Sequence, residues 1–213
     1  LGGDIEGGYG DKLGVSVILS NDGNTMYVGA EGYDMGSGVV KIFEYDASTT
    51  EWSKVGEITG TEKGDEFGSA MSFVRMGDGK HYLAVGAIGY DITSDITNAG
   101  QCTVYDVTNP ASYTNRGSSK TGTGKGQKFG HSVVLNGKRM AVGSPYIKDD
   151  KGVVRLYEFD NDWADIGEIE GGSGMRLGNS IALDEDLLII GATGEENSRG
   201  EVYIFKYDNT PDS

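Results

Sequence analysis

Four landmarks recur in the same order four times along this chain and a fifth follows three of them, so it must fold as a set of equivalent units. The first is a bulky residue followed by glycine: Leu13-Gly14, Phe67-Gly68, Phe129-Gly130 and Leu177-Gly178. A serine stands two residues further on at Ser16, Ser132 and Ser180, with Ala70 in the remaining copy. The second is a tight turn: Asn21-Asp22-Gly23, Gly77-Asp78-Gly79, Asn136-Gly137 and the glycine-free Asp184-Glu185-Asp186. Asn-Gly and Asp-Gly supply the positive φ angles that two-strand hairpins demand. The third is an apolar run ending in a small-residue step: Val28-Gly29-Ala30, Val85-Gly86-Ala87, Val142-Gly143-Ser144 and Ile190-Gly191-Ala192. The fourth is a glycine (Gly38, Gly100, Gly152 and Gly200) that opens a strand of alternating character such as Val40, Ile42 and Phe43-Glu44-Tyr45. The fifth, a weaker segment ending in glycine, runs from Trp52 to Gly60, from Tyr113 to Gly122 and from Trp163 to Gly171.

Each repeat therefore holds four strands, and a period of roughly 50–60 residues lies in the range of propeller and kelch repeats. The pattern predicts an all-β chain, a β-propeller of four-stranded antiparallel blades with four repeats, at about 8–60, 61–122, 123–171 and 172–213 plus 1–7, forming one propeller domain or a segment of a larger propeller. The last repeat has no fifth landmark, but Leu1–Gly7 ends in Ile5-Glu6-Gly7 as the third repeat ends in Ile169-Glu170-Gly171. The N-terminal strand is thereby expected to complete the last blade. Strands one and two of a blade are covered on both faces, which is why they read as apolar runs broken by small residues where backbones crowd.

Composition narrows the functional classes. There are 36 glycines and only 3 prolines, without collagen's every-third spacing, so the glycines belong to turns and close approaches. A net charge of −15 repels a phosphate backbone and argues against nucleic-acid binding. No apolar run reaches the ~20 residues a membrane helix needs, so membrane insertion is not expected. The single cysteine, Cys102, rules out an internal disulfide framework and reads as an inert buried thiol. His81 and His131 are not spaced as a ligand pair and read as structural. The chain opens on Leu1 with no signal-like segment, as a processed product or a fragment would.

Phe129-Gly130-His131-Ser132, Ala141-Val142-Gly143-Ser144-Pro145 and Gly152-Val153-Val154-Arg155-Leu156-Tyr157 together resemble the FG-GAP repeat of integrin-α-type β-propellers. The Trp…Gly-x-Ile-x-Gly segments are also similar to repeats of large surface proteins from algae and marine microbes. The resemblance covers essentially the whole chain and implies a secreted or cell-surface location, and further repeats or other chains as partners. It also implies calcium in the hairpin between the first two strands. The matching hairpins here hold only Asp22, Asp78, Asn136, and Asp184 with Asp186, too few carboxylates for more than weak calcium binding. No other cofactor is expected.

Loops after the second strand and before the first strand of each blade open on one end of a propeller. There the sequence places Tyr33, Asp34, Tyr90, Asp91, Tyr146, Asp149, Glu195 and Glu196, together with Asp11 and Asp65. Carboxylates beside aromatic faces suit a glycan, a cationic peptide or a cation, although such residues also simply build loops. With no nucleophile elbow, phosphate loop or metal-spaced histidines, the chain reads as non-enzymatic. The expectation is a recognition or adhesion module binding protein or glycan. The alternative is a structural spacer or assembly subunit of an extracellular matrix, shell or filament, and a glycoside hydrolase using a pair such as Asp149-Asp150 is a remoter one.

Overall fold

The computed structural model describes residues 3–194 and 199–207 and contains four antiparallel sheets, one for each repeat. Blade one runs β1 (Leu13–Leu19), β2 (Thr25–Ala30), β3 (Val39–Asp46) and β4 (Glu51–Thr59). Blade two holds β5 (Phe67–Arg75), β6 (His81–Ala87) and β7 (Gln101–Asn109), with its outer strand split into β8 (Ser112–Asn115) and β9 (Lys120–Thr121). Blade three is β10 (Ser132–Asn136), β11 (Arg139–Ser144), β12 (Val153–Asp160) and β13 (Asp162–Glu170). Blade four is β14 (Leu177–Asp184), β15 (Leu187–Ala192) and β16 (Glu201–Lys206). Every sheet follows sequence order, as a propeller blade does.

One expectation is corrected. Among the described residues the fourth sheet has three strands, and residues 3–8 form no strand. Gly3, Asp4 and Ile5 instead lie beside Val17, Met26, Val28 and Trp52 of blade one. Ile5-Glu6-Gly7 shares its local pattern with Ile169-Glu170-Gly171, but strand pairing is a long-range decision that no local pattern makes. The second outer segment splits where Asp162 of blade three accepts a hydrogen bond from the Ser118 amide (2.6 Å).

Alternation sorts each strand's two faces, and the faces of successive blades form the core. Tyr27, Val40, Ile42 and Ile58 of blade one pack with Phe67, Leu83, Val85 and Tyr105 of blade two. Ala84, Cys102 and Val104 of blade two meet Phe129, Leu135, Met140 and Trp163 of blade three. Ala141 and Val154 of blade three meet Leu177, Leu188 and Ile190 of blade four. The thiol of Cys102 is buried beside the Met140 sulfur, as expected, and burial pushes its pKa up to about 12, which disfavours the thiolate.

The glycine landmarks acquire physical causes here. Gly14, Gly68, Gly130 and Gly178 all take φ between 85° and 95°, and in β1, β5 and β14 this step is a β-bulge. The bulge carries the chain across to the previous blade. A Cβ at Gly29, Gly86 or Gly143 would overlap the carbonyl oxygen of Gly68, Gly130 or Gly178 respectively. The serines lock the same seam, because Ser16 donates to the Gly68 carbonyl and Ser132 to that of Gly178, each at 2.6 Å. In the glycine-free hairpin, Glu185 takes up the positive φ (45°).

Between blades two and three lies a cluster that no sequence pattern announced. The Arg116 guanidinium stacks over Tyr82 (3.7 Å to the ring centroid) and Phe159 (4.3 Å), while Trp163 Nε1 donates to the Arg116 carbonyl (2.8 Å). The cation lies among aromatic faces with its Nη1 donating to the Gly137 carbonyl, and it ties the two outer edges together.

Because the Gly86–Gly130 approach leaves no room for a methyl group, Gly86→Ala is expected to cost about 1–3 kcal/mol in urea unfolding. Gly77→Ala, where an added Cβ meets nothing, should stay within about 0.5 kcal/mol.

Candidate functional site

The loops after the second strands and those before the first strands do gather at one end, and backbone hydrogen bonds join them. Within blades, Gly32 donates to the Asp11 carbonyl, Gly89 to that of Asp65 and Gly194 to that of Met175. Across blades, Glu66 donates to the Gly36 carbonyl, Lys128 to that of Asn98 and Arg176 to that of Asp150. Glu66, Lys128 and Arg176 hold φ of 50–53° to make these bonds. The loop end is thus a continuous, backbone-stitched surface rather than a set of independent tips.

Several carboxylates expected to bind ligand serve that stitching. Asp65 is buried and accepts hydrogen bonds from the Glu62 amide (3.0 Å) and the Thr61 hydroxyl (3.2 Å). Asp11 accepts from the Gly8 amide (2.8 Å) and lies 4.0 Å from the Lys41 ammonium. Asp91 accepts from the Asn98 amide (2.6 Å), closing its own loop, and Tyr90 packs on the core between blades one and two. Asp149 is exposed and its carbonyl accepts from Gly174, while neighbouring Asp150 holds Arg176 through Nε (3.0 Å) and Nη2 (2.8 Å). Glu195 and Glu196 lie outside the described residues.

Two places keep side chains available. Tyr33 and Asp34 line a polar cleft with Ser37, Thr61, Glu62 and Lys63, formed where the loop after β2 meets the loop before β5. Sequence reading named the first two. It passed over Thr61, Glu62 and Lys63 because the Thr61–Gly64 turn looks like any polar linker until it is folded beside Tyr33. Asp34 and Met35 both have positive φ (43° and 59°), so a tight left-handed turn presents this corner. The second place is Tyr146, half exposed, with the His131 ring edge-on at 5.4 Å and the Lys128 and Arg176 cations at 5.6 and 5.9 Å from its ring. Burial, then Lys128, push the His131 pKa below its ordinary value.

The hairpin carboxylates lie at the opposite end, each engaged within its own turn, with the neighbouring hairpin's Asn136 or with an arginine. Asp22 accepts from the Ser20 hydroxyl and the Asn24 amide, Asp78 from the Lys80 amide, Asp184 from the Asn136 amide nitrogen and Asp186 from Arg139. Among the described residues no three His, Cys, Asp or Glu side chains come together as metal ligands would. Nor is any helix among them long and apolar enough to cross a membrane.

Comparison with known proteins places this geometry. Residues 164–205 match the family model of the FG-GAP repeat, a stretch that takes in most of β13, all of β14 and β15, and β16 up to its last residue. A solved structure of a candidate 6-phosphogluconolactonase from Bacteroides fragilis superposes with a TM-score of 0.51 at 17% identity, over 77% of this chain and 40% of that one. This chain therefore spans less than half the length of that protein, and the likeness concerns fold alone. A search of the curated proteins found no match. The chain has the fold of a β-propeller repeat protein, and its residues 164–205 are similar to the FG-GAP repeat.

His131 is expected to titrate below 6.5 by NMR. Its folded pKa is depressed, so the unfolded chain takes up the proton first, and stability falls as pH drops from about 6.5 toward the folded value. His131→Gln should flatten that part of the pH–stability curve.

Proposed function

We propose that this chain is a non-enzymatic recognition module that binds protein or glycan at the loop end of its blades. The observation that carries the reading is the cleft of Tyr33, Asp34, Ser37, Thr61, Glu62 and Lys63. It sets one aromatic face beside hydroxyls, carboxylates and an ammonium, the mixture that accepts the hydroxyls of a sugar or the polar groups of a peptide loop. Its walls come from two blades stitched through backbone bonds, so the groups are held in place before a ligand arrives, which lowers the entropic cost of binding. The carboxylate pair that a glycosidase would use is poorly suited to that role, since Asp150 is committed to Arg176. A secreted or cell-surface setting fits the FG-GAP repeat, and the acidic surface fits cationic peptides as readily as glycans. The second reading, an assembly subunit, is favoured by the apolar faces that the first and last blades leave exposed.

A glycan array and a pull-down from extracellular material, each with the parent chain and with Tyr33→Ala and Glu62→Gln, test the recognition reading. Loss of about tenfold or more in affinity, near 1.4 kcal/mol, is expected for each variant. Binding unchanged by both would rule out this cleft as the site.

A further inference from the structure

Three interblade seams in this molecule repeat one set of contacts, and the two end blades carry the two halves of a fourth seam unmade. At each finished seam the second-strand glycine of one blade meets the lead-in glycine of the next: Gly29 with Gly68, Gly86 with Gly130, Gly143 with Gly178. The glycine opening the third strand meets the next lead-in residue: Gly38 with Phe67, Gly100 with Phe129, Gly152 with Leu177. In blade four, among the described residues, the atoms nearest a Cβ at Gly191 belong to its own blade's Ser180, and those near one at Gly200 to Ala192 and Thr193. In blade one, no described atom lies within 4 Å of a Cβ built at Gly14.

The side chains tell the same story. Val40 and Val154, in the third strands of blades one and three, are 0% exposed, whereas the equivalent Val202 is 63% exposed and Ile204 is 69% exposed. Leu187 and Ile189 of β15 share that open face. Val15, Val17 and Leu19 of β1 are the exposed face at the other end.

Residues 3–7 supply the decisive detail. A Cβ at Gly60 would press on Phe67 and one at Gly171 on Leu177, each at 2.9 Å from Cβ, and one at Gly7 would press on Leu13 at 2.8 Å. Gly7 therefore sits on blade one as the last residue of an outer strand sits on the blade that follows it. Ile5 corresponds to Ile58 and Ile169, which pair with Val40 and Val154. Among the described residues no third strand lies beside Ile5 and no outer strand beside β16.

We propose that two copies of this chain close one ring, blade four of each docking on blade one of the other. Residues 3–7 then add as the fourth strand of the partner copy's last blade. The repeat register places Ile5 opposite Val202. Gly7 then donates to the Gly200 carbonyl, as Gly60 does to Gly38 and Gly171 to Gly152. Ser180 then donates to the Gly14 carbonyl, as Ser16 does to Gly68 and Ser132 to Gly178. A second copy is the occupant because the two end faces complement each other rather than themselves, so the contact is head-to-tail. Made twice, it gives eight blades, within the four to eight that propellers use. The inference rests on the fold and stands apart from the recognition reading.

Light scattering at roughly 100 µM, above the Kd of a standard-size interface, should give twice the 22.6 kDa of the chain. The variant Val202→Asp/Ile204→Asp should give the single mass with an unchanged circular dichroism spectrum. Oxidising the variant Ile5→Cys/Val202→Cys should yield a covalently linked dimer. A parent chain that stays monomeric would overturn the proposal. So would a disulfide formed within one chain, which would mean closure by its own last blade, or open-ended assemblies larger than two.

Discussion

The whole architecture hangs on a backbone-to-backbone approach between neighbouring blades. The lead-in glycine, with φ near 90°, pushes its carbonyl into the space a side chain would need on the second strand of the previous blade. Glycine at both positions lets two sheets approach closely at this inner point, and the apolar side chains further out close over the gap. Buried Val40, Ile42, Leu83, Val85, Met140 and Val142 then form layers between sheets rather than a single central core. Such a molecule is quasi-one-dimensional, in that each blade is stabilised by its neighbours and exposes an apolar face where a neighbour is lacking.

That logic also explains the character of the loop end. The same lead-in segments that bring the glycines together pass beneath the loops that follow the second strands, and their backbone groups bond there. Residues such as Asp65 and Asp91 are consumed in holding this layer. The groups left over collect where a polar lead-in turn lies beside an aromatic one, as at Tyr33 and Lys63. Variation in these turns alters what the end presents without touching the glycine seams beneath, which is how one fold can serve many recognition tasks.

Much of this was legible from the residues alone. The strand order, the hairpins, the crowded glycines and the buried thiol of Cys102 all follow from local pattern, because tight turns and alternating strands are set by neighbours in sequence. The candidate site was legible only in part. Tyr33 and Asp34 were named, but Glu62 and Lys63 were not, since they come from another blade. Asp65 looked like an available carboxylate because a sequence cannot show that a side chain is turned inward onto its own loop. Arg116 among Tyr82, Phe159 and Trp163 escaped notice for the same reason, its partners being 34 to 47 residues distant.

The sequence by itself determined the unit, a four-stranded blade written with glycine at its crowded points, and it determined that four such units follow one another. Only the tertiary structure decided which edges meet. Ile5-Glu6-Gly7 shares the pattern of Ile169-Glu170-Gly171, but its position against Leu13, away from β16, depends on where the fourth blade falls relative to the first. Strand identity is a property of alternation and turns, whereas strand partnership is a property of distance across the whole molecule.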